Sequence, residues 1–204
     1  MPQVSVHDLA LPTGDDDLVI GTHGRGIYIL DYLSPLRQLD ESVVQETLSF
    51  FEGEPVAVKN PALGQPFTGA GEFVGANPST AAFITYYMKK RHVFGKMSID
   101  VYDEDDQLIT TLPAGKSKGI NIVTLPLRLP PPKAAPTKNR MALFGSMITP
   151  AMNQGTYKVV VKKGKQEYTT DLVLVNDPTA GYSPAGIAKQ KEISTQLYLS
   201  LIHI

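Results

Sequence analysis

The stretch Gly21–Thr22–His23–Gly24–Arg25–Gly26–Ile27–Tyr28–Ile29–Leu30–Asp31 constrains the fold more than any other part of the chain. In an extended strand Ile27 and Ile29 point one way, and Tyr28 and Leu30 the other. The strand is therefore apolar on both faces and needs cover on both. Val4–Leu11 and Leu18–Thr22 also read as strands, joined by Gly14–Asp15–Asp16–Asp17 and by His23–Gly24–Arg25. A sheet of three strands is marginal alone and cannot shield both of its own faces. Residues 1–35 are expected to belong to a larger β-assembly.

Three glycines beside two basic side chains also invite comparison with a phosphate loop. Such a loop must lead into a helix, whose first amides meet the anion. Here it leads into Ile27–Tyr28–Ile29–Leu30, and no Lys-Ser/Thr pair follows. The stretch reads instead as a strand–turn–strand in which Gly24 and Gly26 permit positive φ.

From Ala81 the pattern is β throughout. Ala81–Lys89, Lys96–Tyr102, Gln107–Leu112, Gly119–Leu127, Met141–Phe144, Thr156–Lys162 and Gln166–Val175 are strand candidates. Asp103–Glu104–Asp105–Asp106 and Lys163–Gly164–Lys165 supply two of the turns. In the last hairpin Tyr157, Val159 and Val161 share a face, with Lys158 and Lys162 on the other and Val160 between them. About seven strands in roughly a hundred residues indicates an immunoglobulin-like sandwich. Pro130–Pro131–Pro132 and Lys133–Asn139 read as a long loop, too proline-rich for a central strand. Before this region, residues 36–68 read as a connector with a short helix at Asp40–Thr47. After it, Ser183 is placed to cap a helix opening on Pro184, with Ile193, Leu197 and Leu201 along one face.

Composition excludes some functions. The chain carries a net charge of −1, with 19% charged residues, and shows no basic stripe of the kind nucleic-acid binders use. The run Lys89–Lys90–Arg91 reads as a solvated strand end. No apolar run reaches the ~20 residues a membrane span requires. There is no cysteine, so no disulfide framework exists.

Chemistry-bearing patterns are sparse. No Gly-x-Ser-x-Gly elbow and no His-Glu-x-x-His pair occurs, and no catalytic residue is assigned. The acidic runs Asp15–Asp17 and Asp103–Asp106 lack the glycine and distal glutamate of a calcium loop, and read as solvated turns. No metal and no cofactor is expected. Tyr86–Tyr87 and Tyr102 have the chemistry of a sugar platform, but on alternating strands they read as packing residues. His7 reads as a hydrogen-bonding residue within its sheet.

Val6–His7–Asp8–Leu9, followed by Asp17 to Asp31, resembles a blade of the sortilin-like propeller proteins, bacterial proteins with BNR (Asp-box) repeats that often carry a glycosyl hydrolase label. Pro35–Leu36–Arg37–Gln38–Leu39 resembles the exit from their last blade. Ala81–Tyr87, the Asp100–Leu112 hairpin, Gly119–Ile120–Asn121 and Gly155–Val159 are similar to the immunoglobulin-like or fibronectin-like domain that follows it. A complete Ser-x-Asp-x-Gly-x-x-Trp box is absent: Tyr32–Leu33 follows Asp31, and the chain has no tryptophan.

The resemblance implies an all-β chain with an incomplete propeller blade over residues 1–35, a connector over 36–68, a β-sandwich over 69–178 and a truncated helical segment over 179–204. It implies a non-catalytic C-terminal region of an extracellular or periplasmic protein, whose partners are upstream blades of the same parent chain, with a glycan or protein ligand. The alternative it implies is a share in a glycan-binding or glycoside hydrolase site built mainly by upstream blades. His23 and Arg25, in the turn between the second and third strands, are then the ligand-binding candidates. A stand-alone carbohydrate- or protein-binding sandwich is a third reading.

Overall fold

The computed structural model describes residues 3–13, 16–59, 71, 79–131, 149–178, 181 and 183–202. Among these the chain is mostly strand: β1 (Val6–Ala10), β2 (Leu18–Thr22), β3 (Ile27–Leu30), β4 (Leu48–Phe50), β5 (Val56–Val58), β6 (Ala82–Met88), β7 (Met97–Tyr102), β8 (Leu108–Pro113), β9 (Gly119–Leu125), β10 (Gly155–Lys163) and β11 (Gln166–Asn176). The helices are α1 (Ser34–Arg37), α2 (Glu41–Gln45) and α3 (Pro184–Ile202). The all-β expectation holds at this level. No helix among the described residues is long and apolar enough to cross a membrane.

Two compact units are present. The first comprises Met1–Gly53, Thr85–Val93 and Lys116–Ile122; the second comprises Glu54–Ile84, Phe94–Gly115 and Val123–Ile204. The division falls within β6 and within β9.

In the first unit, β1, β2 and β3 form an antiparallel sheet in that order. Leu9 pairs with Ile20 and Ile20 with Tyr28, while Val19 pairs with Ile29. The β1 register shifts between Val6 and Asp8, leaving His7 as the extra residue of a bulge. Asp16 ties down the chain that leaves β3: its Oδ2 accepts from Ser34 N at 2.7 Å, its carbonyl accepts from Leu33 N at 2.7 Å, and Arg37 lies 3.8 Å from its carboxylate. Tyr32, with φ of 61°, makes the bend. Asp40 caps α2 as its side chain accepts from Val43 N at 2.9 Å and from Ser42 Oγ at 2.7 Å. The Ser42 hydroxyl, followed by the Val43 amide, holds the Asp40 carboxyl below its ordinary range. Leu48, Phe51, Tyr86 and Met88 are buried, and the Phe50 ring meets Tyr86 edge-on at 6.1 Å. β4 supplies this contact by pairing antiparallel with the end of β6, Leu48 opposite Met88 and Phe50 opposite Tyr86.

The second unit holds a five-stranded sheet in the order β5-β11-β10-β7-β8. All its pairs are antiparallel except β5–β11, where Val56 lies beside Leu174. Gly164, at φ of 63°, turns β10 into β11 as the Lys163–Gly164–Lys165 turn required. Tyr157, Val159 and Val161 are buried together with Ile99, Val101, Leu172 and Leu174, so the expected apolar face of β10 is the core face. The opposite face carries Lys158 and Lys162 on either side of Val160, which is also buried. Lys162 Nζ lies 2.9 Å from Asp100 Oδ2 and 3.8 Å from Glu167, and Thr111 Oγ1 donates to Asp100 Oδ1 at 2.7 Å. Lys158 sits 5.5 Å above the Tyr102 ring and pairs with Asp106. Burial disfavours the Asp100 carboxylate, but hydrogen bonds from Lys162 and Thr111 and the lysine charge outweigh it and hold its carboxyl below the ordinary 3.8.

Some expectations need correction. Residues 36–68 hold two strands that the sequence reading did not expect there, β4 and β5, besides the expected helix α2. β4 and β5 are three residues each and take their extended form from the longer strands they join. The α3 cap is as expected, with Ser183 Oγ accepting from Gly186 N at 3.1 Å, yet Ile193 and Leu197 on its apolar face are exposed. The expected Met141–Phe144 strand and the Lys133–Asn139 loop lie outside the described residues.

Ile99 is fully buried, so Ile99→Ala is expected to lower the unfolding free energy by about 2–5 kcal/mol, measured by urea denaturation. For Asp100, a depressed folded-state pKa stabilises above the unfolded value, and that contribution disappears as pH falls through the folded value. Asp100→Asn is therefore expected to unfold at lower urea than the parent chain at neutral pH. The difference should close as pH is taken below the ordinary carboxylate value.

Candidate functional site

The turn between β2 and β3 brings His23 and Arg25 to the surface. Gly24 and Gly26 have φ of 69° and 84°, and Thr22 Oγ1 closes the turn by donating to Gly26 O at 2.6 Å. No atom lies within 4 Å of where a Cβ would stand on either glycine. The requirement for glycine is therefore the left-handed backbone and not space.

His23 is anchored twice. Its backbone N–H donates to Ser5 O at 3.0 Å, and its ring stacks on His7, with centroids 4.9 Å apart and planes 21° from parallel. The bulge in β1 supplies His7, and both rings are exposed. His7 thus supports a neighbouring ring, where sequence reading expected a hydrogen-bonding role within the sheet. Arg25 is exposed and makes no hydrogen bond or ion pair among the described residues. A free guanidinium can hold a carboxylate through two parallel hydrogen bonds. The turn offers a cation beside an imidazole pair, which suits anion binding. It does not supply the paired carboxylates that glycoside hydrolysis uses.

The other candidates have structural partners. Tyr86 is fully buried and Tyr87 nearly so, which removes both rings as a sugar platform; Tyr102 lies under Lys158. In the first acidic run Asp16 and Asp17 accept backbone amides, and Asp15 lies outside the described residues. In the second, Asp103 Oδ1 accepts from Asp105 N at 3.0 Å and Gln107 N at 2.8 Å, while Glu104 accepts from Thr156 N at 3.1 Å. The Asp103 bonds are turn-fixing bonds of the kind aspartate makes to its own backbone, and the Glu104 bond ties the turn to the start of β10. Among the described residues no group of three His, Asp or Glu is placed to hold a metal.

Sequence reading did not locate a groove in the second unit, of about 1080 Å³, walled by α3, the end of β11 and residues around Arg128 and Met152. Arg128 donates to Thr149 O at 2.7 Å across its floor, and Tyr198 of α3 donates to Pro130 O at 3.0 Å. These segments are far apart in the chain and share no motif, so nothing in the sequence marked them as neighbours. Comparisons with protein-family models, curated proteins and solved structures find no match.

Replacing Gly26 by alanine tests the turn. The left-handed backbone is expected to cost roughly 1–2 kcal/mol in unfolding free energy, with the far-ultraviolet spectrum preserved. An equal-sized loss is expected at Gly24.

Proposed function

We propose that residues 1–35 are the closing blade of a sortilin-like β-propeller and that the later strands form an accessory immunoglobulin-like β-sandwich. Together they serve as a non-catalytic C-terminal region of an extracellular or periplasmic protein. One observation carries this reading. The β1–β2–β3 sheet leaves apolar side chains exposed on both faces: Ile27 at 72% and Ile29 at 61% on one, Leu9 at 58%, Val6 at 44% and Leu30 at 42% on the other. A sheet bordered by water on one side alternates polar with apolar residues. This one does not, and sheets stacked on either side would satisfy it.

A second reading, a share in a glycan-binding or glycoside hydrolase site completed by neighbouring blades, is favoured by the unpartnered Arg25 beside the His7–His23 stack. The blade reading needs no chemistry from these side chains.

The test is the double variant Ile27→Ser with Ile29→Ser in the whole chain. If this face awaits a neighbour, unfolding free energy should move by no more than about 0.5 kcal/mol per site, as at ordinary surface positions. Binding of a hydrophobic dye and self-association should both fall. A loss of several kcal/mol, of the size seen when core isoleucines are truncated, would show that the face is already covered and would overturn the reading.

A further inference from the structure

The blade reading asks no chemistry of the His7–His23 pair, and an anion at this turn would need only Arg25. The pair itself is built by the backbone of the first unit. The bond from His23 N to Ser5 O extends the β1–β2 pairing one step beyond Val6 and Thr22, which sets Ser5 opposite His23. His7 stands two residues along from Ser5 and so on the same side of the strand. The bulge between Val6 and Asp8 takes His7 out of the ladder, and bulges of this kind re-aim a side chain. The outcome is two exposed imidazoles with centroids 4.9 Å apart. Neither ring donates or accepts a hydrogen bond or meets a carboxylate among the described residues, so all four ring nitrogens lack a protein partner.

A neutral imidazole offers one lone pair, and imidazolium offers none. Two rings in contact repel each other when both are charged, whereas two neutral rings place two lone pairs side by side. Imidazole nitrogens that share an ion at ~2.0–2.1 Å each lie about 3–4 Å apart. Rings with centroids 4.9 Å apart and planes 21° from parallel reach that spacing by tilting their nitrogen-bearing edges together. Both are exposed, so the tilt is a rotamer adjustment and not a rearrangement of the sheet. The donor type selects the ion. Calcium and magnesium take oxygen ligands, whereas imidazole suits copper, nickel and zinc, with copper(II) bound most tightly of the three. No third His, Asp or Glu joins the pair among the described residues, which leaves the other positions of the ion to water or to a small ligand. Asp8, next to His7, has one carboxylate oxygen committed to Leu9 N at 2.9 Å. Arg25, two residues from His23, opposes a second cation, and its exposure to water and salt weakens that repulsion.

We propose that His7 and His23 form a two-imidazole chelate for a late first-row divalent metal ion, copper(II) foremost. The ion sits at one edge of the ring pair and keeps open coordination positions towards solvent.

Titration of the whole chain with copper(II) in a non-chelating buffer tests this, read by calorimetry and by electron paramagnetic resonance. A site with two coordinating nitrogens is expected, tighter for copper(II) than for zinc(II). Each ring is one arm of the chelate, so His7→Gln and His23→Gln should each weaken that site by roughly tenfold or more. Arg25→Gln removes the cation that an anion would need and should leave copper binding as strong as in the parent, or stronger. Both rings are exposed, so the metal-free melting curves of the variants should match the parent's, and a glutamine variant that melts early is replaced by the alanine variant at the same position. Histidine variants that bind copper as the parent does would overturn the proposal and assign the ion to other groups. A spectrum showing oxygen ligands alone would overturn it too, as would zinc(II) binding more tightly than copper(II), or copper binding that weakens on loss of Arg25. None of these outcomes bears on whether β1–β3 awaits a neighbouring sheet, which is read from Ile27 and Ile29.

Discussion

Strand β10 organises the second unit. Its core-facing side chains, Tyr157, Val159 and Val161, alternate with Lys158 and Lys162, which face the polar side of the sheet. A slip of one residue against β7 or β11 would carry both lysines into the core and turn the buried set outward. The register is therefore fixed by solvation before any specific contact is considered. Asp100 and Glu167 then sit where Lys162 can reach them, and Tyr102 sits beneath Lys158. β8 and β5 are placed at second hand, through β7 and β11.

The same logic explains which elements were legible in the sequence. β7, β8, β10 and β11 were found because their apolar alternation is bounded by recognisable turn chemistry, Asp103–Asp106 on one side and Gly164 on the other. β4 and β5 were not, since three residues are too few to display a period of two and their conformation comes from their partners. α1 was missed for a similar reason: its four residues are held by Asp16 from a distant turn. In the candidate site the glycines announced the β2–β3 turn. The His7–His23 stack depends on a bulge that no local pattern encodes. The run Lys89–Lys90–Arg91 was read as a plain strand end; Lys118 comes beside it only in the folded chain, where His92 N donates to Lys116 O two residues away.

The two sheets at the ends of the described chain differ in how they meet water. The five-stranded sheet has one apolar face and one on which charged groups lie around the buried Val160. The β1–β3 sheet exposes large aliphatic groups on both sides, and fully burying each one is worth about 1.5–3 kcal/mol. Side chains that stay 42–72% exposed realise only part of that stabilisation. The contrast is between strands whose large aliphatic groups stay exposed and a sheet that buries its own core.

The parallel pairing of β5 with β11 has a kinetic consequence. Val56 and Leu174 are more than a hundred residues apart, whereas β10 and β11 meet across a single tight turn. Closing the longer loop costs more chain entropy and returns only a three-residue ladder. Among the described residues β5 has no other strand to lie against, so its ladder follows the hairpin. β5 thus behaves as a latch, seated last in folding and released first when the sheet begins to open.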